Sequence, residues 1–191
     1  MALRKASSYS KKRTRPYTRR SRSKKKAYIK TVPGIKIAKF TMGNQKAADE
    51  GKHNYLVRLI ADERVLIRDN ALEAARMFVG KMLDRDAVGQ YFFSVKVYPH
   101  HILRENKSGG GGVAGADRIS SGMKHSFGIT IGRAAIVNAG KEIFVVSCEN
   151  DKAARVARDA LQDIKAKLPC KSKVIFEKLE KSKAPLAEAS A

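Results

Sequence analysis

The first 48 residues of the chain contain no aspartate or glutamate, and this absence makes the charge of the sequence strongly one-sided. The same stretch holds 16 of the 40 lysines and arginines, and Asp49 is the first acid. Residues 49–191 carry 24 basic and 18 acidic side chains, so most of the formal net charge of +22 belongs to the N-terminal quarter. Such an excess favours a polyanionic partner, because neutralised phosphates release condensed counterions. Nucleic acid and an anionic membrane surface are the two candidates.

Long apolar runs and cysteine pairs are also absent. No run approaches the ~20 apolar residues of a spanning helix, and the basic N-terminus has no apolar stretch like that of a signal peptide. Cys148 and Cys170 are the two cysteines, far apart and outside any CxxC pair. They predict a reduced, intracellular setting in which both thiols fill the core.

Motifs of nucleotide-binding enzymes are incomplete. Gly110, Gly112 and Gly115 satisfy the GxGxxG spacing, but no strand directly precedes them and no acid lies between Asp117 and Glu142. The dinucleotide fold needs both features. The lysine and hydroxyl residue of a P-loop are missing as well. We therefore expect no nucleotide cofactor.

The histidines do not form a recognisable metal or catalytic site. His100 and His101 are adjacent, and neighbouring side chains of an extended chain point to opposite faces. One ring should pack or hydrogen-bond at a strand end while the other faces outward. Neither HExxH nor GxSxG occurs, so we expect no metal and no catalytic triad.

Hydrophobic periodicity predicts an α+β fold with two long helices covering one face of a largely antiparallel sheet. One helix follows Asn70, which is expected to cap it together with Glu73, and has Leu72, Ala75, Val79, Met82 and Leu83 on one face. The other runs from Asp151 to Leu168, before Pro169. The predicted strands cover residues 35–41, two segments of 54–69 that meet near Asp62 and Glu63, and residues 91–98, 129–137, 143–148 and 173–178.

Three regions are predicted along the chain: a basic extension at 1–27, one α+β domain at 28–180 and a flexible tail at 181–191. Residues 11–30 interleave cations with Tyr17 and Tyr28 and show no apolar periodicity. Such a segment is disordered alone and orders on a polyanion. A solvated tail or a localisation signal is the alternative.

A glycine-rich loop separates two predicted strands. Its glycines allow close approach of the backbone to a surface, and cations flank them: Arg104 and Lys107 before, Arg118, Lys124 and His125 after. This composition suits insertion along phosphates. An ordinary surface loop is the alternative.

Several motifs together resemble one family. They are "YIKTVPGIKIAKFTMGN" (28–44), "IRDNALEAAR" (67–76), "VYPHHILRENK" (97–107), "GADRISSGMKHSFGITIGRAA" (115–135) and "KLPCK" (167–171). In this order they resemble the universal large-subunit ribosomal protein family numbered sixteen in bacteria and ten-e in archaea and eukaryotes, in its archaeal form. The likeness extends from about Tyr28 to Lys178.

The resemblance implies an alpha/beta-hammerhead fold and a structural, non-enzymatic role in the large ribosomal subunit. It implies contacts with large-subunit rRNA, neighbouring ribosomal proteins and tRNA acceptor ends near the peptidyl transferase centre. The residues expected at the rRNA are Arg13, Arg15, Tyr17, Arg19, Arg20, Arg22, Lys24, Lys25, Lys26, Tyr28, Lys30, His100, His101, Arg104, Lys107, Arg118, Lys124, His125 and Arg133. The loop expected near tRNA includes Glu105, Asn106, Lys107, Gly109, Gly110, Gly111, Gly112 and Gly115. Two alternatives are a nucleotide- or metal-dependent enzyme centred on residues 98–128, and an RNA-binding regulator or chaperone outside the ribosome.

Overall fold

The computed structural model describes residues 5–10, 29, 31–105 and 129–179. Within this part, the eight strands are β1 (Thr41–Gly43), β2 (Tyr55–Ala61), β3 (Val65–Arg68), β4 (Tyr91–Val95), β5 (His101–Glu105), β6 (Ile129–Val137), β7 (Glu142–Cys148) and β8 (Ser172–Lys178). The helices are α1 (Ser7–Ser10), α2 (Gln45–Asp49), α3 (Asp69–Asp86) and α4 (Asp151–Asp163), and α4 continues as a 3-10 turn, Ile164–Lys167.

The strands form two antiparallel sheets instead of the single sheet expected from the sequence. Five strands pair in the order β1-β4-β7-β2-β8, and three pair in the order β3-β6-β5. The α+β class and the antiparallel pairing are confirmed. The hammerhead assignment stays a prediction.

The turn at Asp62 and Glu63 sends consecutive strands into different sheets. β2 is paired on both edges, with β7 on one side and β8 on the other, so no edge remains for β3. β3 therefore pairs with β6. The turn is held to the chain before β8, because the backbone N–H of Lys171 donates to Glu63 Oε1 at 3.1 Å and the N–H of Asp62 donates to the Lys171 carbonyl at 3.0 Å.

The predicted strand at 35–41 was wrong over most of its length, since only Thr41–Gly43 pairs as a strand. Its alternation is real, because Ile37 is buried between exposed neighbours. The backbone N–H groups, however, find carboxylates of α3 instead of a neighbouring strand. Lys36 N–H donates to Asp69 Oδ2 at 3.3 Å, and Ala38 N–H donates to Glu73 Oε2 at 3.2 Å.

The predicted cap of α3 was also wrong. The helix begins at Asp69, and Arg68 occupies the N-cap position without a side-chain hydrogen bond. Asn70 lies inside the helix, where its N–H donates to Asp69 Oδ1 at 2.9 Å. Glu73 does not form a capping box with the first turn. Its carboxylate accepts hydrogen bonds from Arg76 Nε at 2.8 Å and from the backbone N–H of Ala38.

The main core lies between the two long helices and one face of the five-stranded sheet, and β3 and β6 of the three-stranded sheet add Val65, Ile67, Ala135 and Val137 to it. The predicted stripe of α3 is confirmed, with Leu72, Ala75, Val79 and Leu83 fully buried and Met82 partly buried. The stripe of the second helix is confirmed too: Ala153, Ala157, Ala160, Leu161, Ile164 and Leu168 are all buried.

The two cysteines are free and differ in their surroundings. Cys148 is fully buried, as expected for a core thiol, and burial raises its pKa to about 12. Cys170 is partly buried, and burial together with nearby acids raises its pKa to about 11. Among the described residues, no helix has the length and apolar character needed to cross a membrane.

Candidate nucleic-acid interface

The glycine-rich segment joins two paired strands. β5 and β6 are antiparallel partners, and their register runs from His101 opposite Ala134 to Glu105 opposite Ile129. Residues 106–128 therefore leave and re-enter the same sheet at neighbouring positions. The predicted contacts within that segment lie outside the described residues: Asn106, Lys107, Gly109, Gly110, Gly111, Gly112, Gly115, Arg118, Lys124 and His125.

One face of this hairpin base is covered by the N-terminus of the chain. Tyr9, in α1, is 7% exposed and packs in a small core with Leu66, Leu103 and Ala134. The Arg68 guanidinium lies over the Tyr9 ring, 5.7 Å from its centroid. Residues 11–30 show no apolar periodicity, and Tyr9, just before them, supplies an apolar anchor for the N-terminus.

The opposite face of the base holds Arg133. Side chains of a strand alternate between faces, so Arg133 shares the face of Ala135 and Val137, which point into the main core. Arg133 is 8% exposed, and its Nε donates to the Pro33 carbonyl at 2.8 Å. At least part of this guanidinium therefore anchors the chain before β1. Its contact with RNA stays a prediction.

Of the two adjacent histidines, one is buried and the other is exposed, as predicted. His101 is 4% exposed, and burial lowers its pKa, with a further lowering from the nearby Arg104 charge. His100 is exposed. Arg104 is half-buried at the end of β5. His100 is thus the more accessible of the two for a partner, while His101 belongs to the protein interior.

Three rings lie in a row beside the hairpin, and we call this row of Phe40, Tyr98 and His100 the stack. Phe40 and Tyr98 are stacked with centroids 5.4 Å apart and planes at 19°. Tyr98 and His100 are 4.4 Å apart at 45°. The backbone N–H of His100 donates to the Tyr98 carbonyl at 3.0 Å across Pro99, which brings both rings to one side.

Sequence reasoning missed Phe40 and Tyr98 as part of this site. The available signal was the alternation after β4, in which Val97 and Pro99 are buried while Tyr98 and His100 are exposed. Phe40 could not have been found in this way, because it reaches the stack from a distant part of the chain.

The predicted rRNA contacts before β1 all fall between residues 13 and 30. They lie outside the described residues: Arg13, Arg15, Tyr17, Arg19, Arg20, Arg22, Lys24, Lys25, Lys26, Tyr28 and Lys30. The flexible tail at 181–191 also lies outside. For all of these the sequence prediction stands as a prediction.

A groove between α4 and β8 is a further concave feature of the part of the chain that the structure describes. It is lined by Asp151, Arg155, Arg158, Asp159 and Phe176. Two acids oppose two arginines, and Arg155 pairs with Asp151 at 2.8 Å on the helix surface. The charges compensate each other, so this groove offers no net field for a polyanion.

Acid and metal-ligand side chains are dispersed elsewhere in the described part of the chain, where no group of three could hold a metal ion. His53 is buried, with Nδ1 2.7 Å from Ser147 Oγ, and burial lowers its pKa. The pair links the segment before β2 to β7, which is a structural role.

A small, strongly basic α+β protein, in which a cationic N-terminal segment and a glycine-rich segment flanked by cations both adjoin one antiparallel sheet, is typical of nucleic-acid-binding proteins. Comparison with known proteins narrows this class. The chain belongs to the ribosomal protein L16p/L10e family, whose model matches residues 12–175.

Relatives in archaea match most of the chain, and each is called large ribosomal subunit protein uL16. The Archaeoglobus fulgidus protein is 42% identical over 165 residues, which cover 86% of this chain and 87% of that protein. The Staphylothermus marinus protein is 40% identical over 187 residues, which cover 97% and 100%. The family predicted from the motifs, in its archaeal form, is confirmed. It is a family of structural ribosomal proteins and not of enzymes.

Proposed function

We propose that this chain is a structural constituent of the large ribosomal subunit. It binds large-subunit rRNA through its basic N-terminal extension and the hairpin of β5 and β6, and it contacts neighbouring ribosomal proteins. The hairpin segment 106–128 helps to organise the region where tRNA acceptor ends approach the peptidyl transferase centre. Membership of the L16p/L10e family and relatives named as large-subunit proteins support this proposal.

The observation that carries the proposal is the packing of Tyr9 on Leu103. The basic segment 11–28 continues directly from α1, which ends at Ser10. The glycine-rich segment leaves β5 after Glu105, two residues beyond Leu103. Both segments are therefore attached to the three-stranded sheet, the basic segment through Tyr9 and the glycine-rich segment through β5. Cations from both are available to one polyanion, in keeping with the charge of the chain.

Sedimentation tests whether the chain belongs to the ribosome. A tagged full chain, expressed in an archaeal host and followed by mass spectrometry, should travel with large subunits through a sucrose gradient. A free RNA-binding regulator or chaperone would remain mostly in the light fractions, and that result would contradict the proposal.

The salt dependence of rRNA binding tests the extension. Replacing the lysines and arginines of residues 11–26 with glutamine keeps Tyr9 and its packing. The log–log slope of affinity against salt should fall by about 0.7 to 0.9 for each phosphate that the variant no longer neutralises. Replacing Arg155 and Arg158 on α4 with glutamine is the control, and it should leave the slope unchanged. An unchanged slope for the first variant would show that the extension does not meet phosphate.

A further inference from the structure

We propose that the stack of Phe40, Tyr98 and His100 is a platform for one unpaired rRNA base, which lies on the exposed face of the His100 ring. The proposal rests on the function above, since it requires the chain to bind rRNA. It adds a site outside the extension and the glycine-rich segment. It also assigns the site one kind of ligand, a nucleobase.

The platform is rigid at one end and open at the other. Phe40 packs against the main core, and the backbone N–H of Val95 donates to its carbonyl at 2.8 Å. Tyr98 lies next in the stack and is 40% exposed. His100 forms the outer layer and is exposed. The Tyr98 ring contacts the imidazole at a tilt of 45°, and the exposed part of the His100 ring is available to a partner.

The backbone conformation of the free protein already places the two outer rings on one side. Val97 and Pro99 are buried, which leaves Tyr98 and His100 on the exposed side. Proline fixes its own φ, and the turn around Pro99 is closed by the hydrogen bond from His100 N–H to the Tyr98 carbonyl. His101, directly after the platform, is buried in β5. A preorganised platform loses little conformational entropy when a base stacks on it.

A cation lies beside the platform. Lys96 is exposed. Its backbone N–H donates to the Ile143 carbonyl at 3.0 Å, and this bond holds the backbone of Lys96 against β7. The alternation of the segment places Lys96 on the same side as Tyr98 and His100. An aromatic face next to a lysine suits a nucleotide, whose base stacks while its phosphate meets the ammonium group.

Stacking favours a nucleobase over an apolar protein partner. Among the large exposed apolar side chains of the described residues, Tyr98 is the one that belongs to the stack. A docking site for a protein would need a larger apolar area. The net charge of +22 favours a polyanion.

The test uses the full chain, protein-free large-subunit rRNA and filter binding at several salt concentrations. His100→Gln keeps a hydrogen-bonding side chain but removes the ring, and it should weaken binding by roughly 5- to 150-fold without changing the salt slope. His100→Phe keeps the ring and should bind within about twofold of the unmodified chain. Lys96→Gln should lower the slope by about 0.7 to 0.9. Met77→Ala changes an exposed side chain of α3 and should have no effect.

Two further readouts make the outcome decisive. Each variant should melt at the temperature of the unmodified chain, because the replaced side chains are exposed. Ultraviolet irradiation of the unmodified complex should cross-link rRNA to the peptide containing residues 98–100. Equal affinity for His100→Gln and the unmodified chain, equal weakening by His100→Gln and His100→Phe, or no cross-link would overturn the platform. Failure of the unmodified chain to bind rRNA would instead overturn the proposed function.

Discussion

Arg133, in the middle of β6, donates a hydrogen bond from Nε to the carbonyl oxygen of Pro33 at 2.8 Å, across 100 residues of sequence. This bond attaches the chain before β1 to the three-stranded sheet. Between Pro33 and β1 the chain runs along α3, where the backbone N–H groups of Lys36 and Ala38 donate to carboxylates of that helix.

Arg133→Met should therefore destabilise the protein. Methionine keeps an apolar stem but removes the donor, and a hydrogen bond from a charged group contributes about 1.5 to 3 kcal/mol. Urea unfolding measures the decrease in the free energy of unfolding. Arg155→Met is the matched control, because Arg155 is 76% exposed and its pair with Asp151 is worth at most about 1 kcal/mol. Equal decreases would show that the hydrogen bond to Pro33 contributes no special stability.

The carboxylate of Glu73 should make stability depend on pH. Hydrogen bonds from Arg76 lower the pKa of Glu73 below its ordinary 4.5, burial opposes that shift, and the Ala38 N–H adds to it. A lowered folded-state pKa gives stability that is complete above the unfolded pKa and is lost as pH falls through the folded pKa. Glu73→Gln should cost about 1 to 2 kcal/mol at pH 7, and the difference from the unmodified protein should shrink below about pH 4.

Urea unfolding between pH 7 and pH 3 checks this expectation. Glu50→Gln is the control, since Glu50 forms an exposed pair with Lys52 at 2.6 Å and should leave the pH dependence unchanged. A constant difference for Glu73→Gln across the whole range would mean that the ionised carboxylate is not the source of its effect.

Two glycines with positive φ should respond differently to alanine. Gly43 has φ +92°, and a Cβ there would collide with the Tyr91 carbonyl oxygen and lie 2.9 Å from Tyr91 Cε2. Gly89 has φ +73° with nothing within 4 Å of the added carbon. Gly89→Ala should cost about 1 to 2 kcal/mol from backbone strain alone. Gly43→Ala should cost about 2 to 5 kcal/mol, because the clash adds to that strain. Thermal melting that ranks the two equally would contradict the close approach of β1 to β4.

Substitutions in the glycine run should impair function without affecting folding, and a substitution in the core should affect folding. Replacing Gly109, Gly110, Gly111 and Gly112 with alanine should leave the melting temperature nearly unchanged, while subunits carrying the variant assemble but translate poorly. Alanine restricts the backbone and adds methyl groups, and under the proposed function these should hinder the close approach of the segment to tRNA. Leu161→Ala should do the reverse: it opens a cavity at a fully buried position, costs about 2 to 5 kcal/mol and reduces incorporation into subunits.

Melting of each free variant and peptide synthesis by subunits that carry it are the paired measurements. Normal synthesis with the alanine run would reduce residues 109–112 to a spacer. A normal melting temperature for Leu161→Ala would contradict the packing of α4 on the sheet.

The sequence by itself determined the two long helices, most of the strands and the family, whereas the short helices α1 and α2 were not predicted. The buried faces of α3 and α4 could be predicted because apolar residues recur every three or four positions along a helix and form one stripe. The opposite burial of His100 and His101 followed from the geometry of an extended chain. The motifs around "YPHHILRENK" indicated the family without any contact information.

Tertiary structure decided the features that depend on distant partners. Residues 35–40 alternate like a strand, but Asp69 and Glu73 of α3 bind their N–H groups, so no sheet forms there. β2 and β3 are neighbours in sequence, yet both edges of β2 are already occupied and β3 enters a second sheet. Phe40 meets Tyr98, and Tyr9 meets Leu103, across long stretches of chain. Local periodicity records whether a residue is buried, whereas only the folded chain determines which residue buries it.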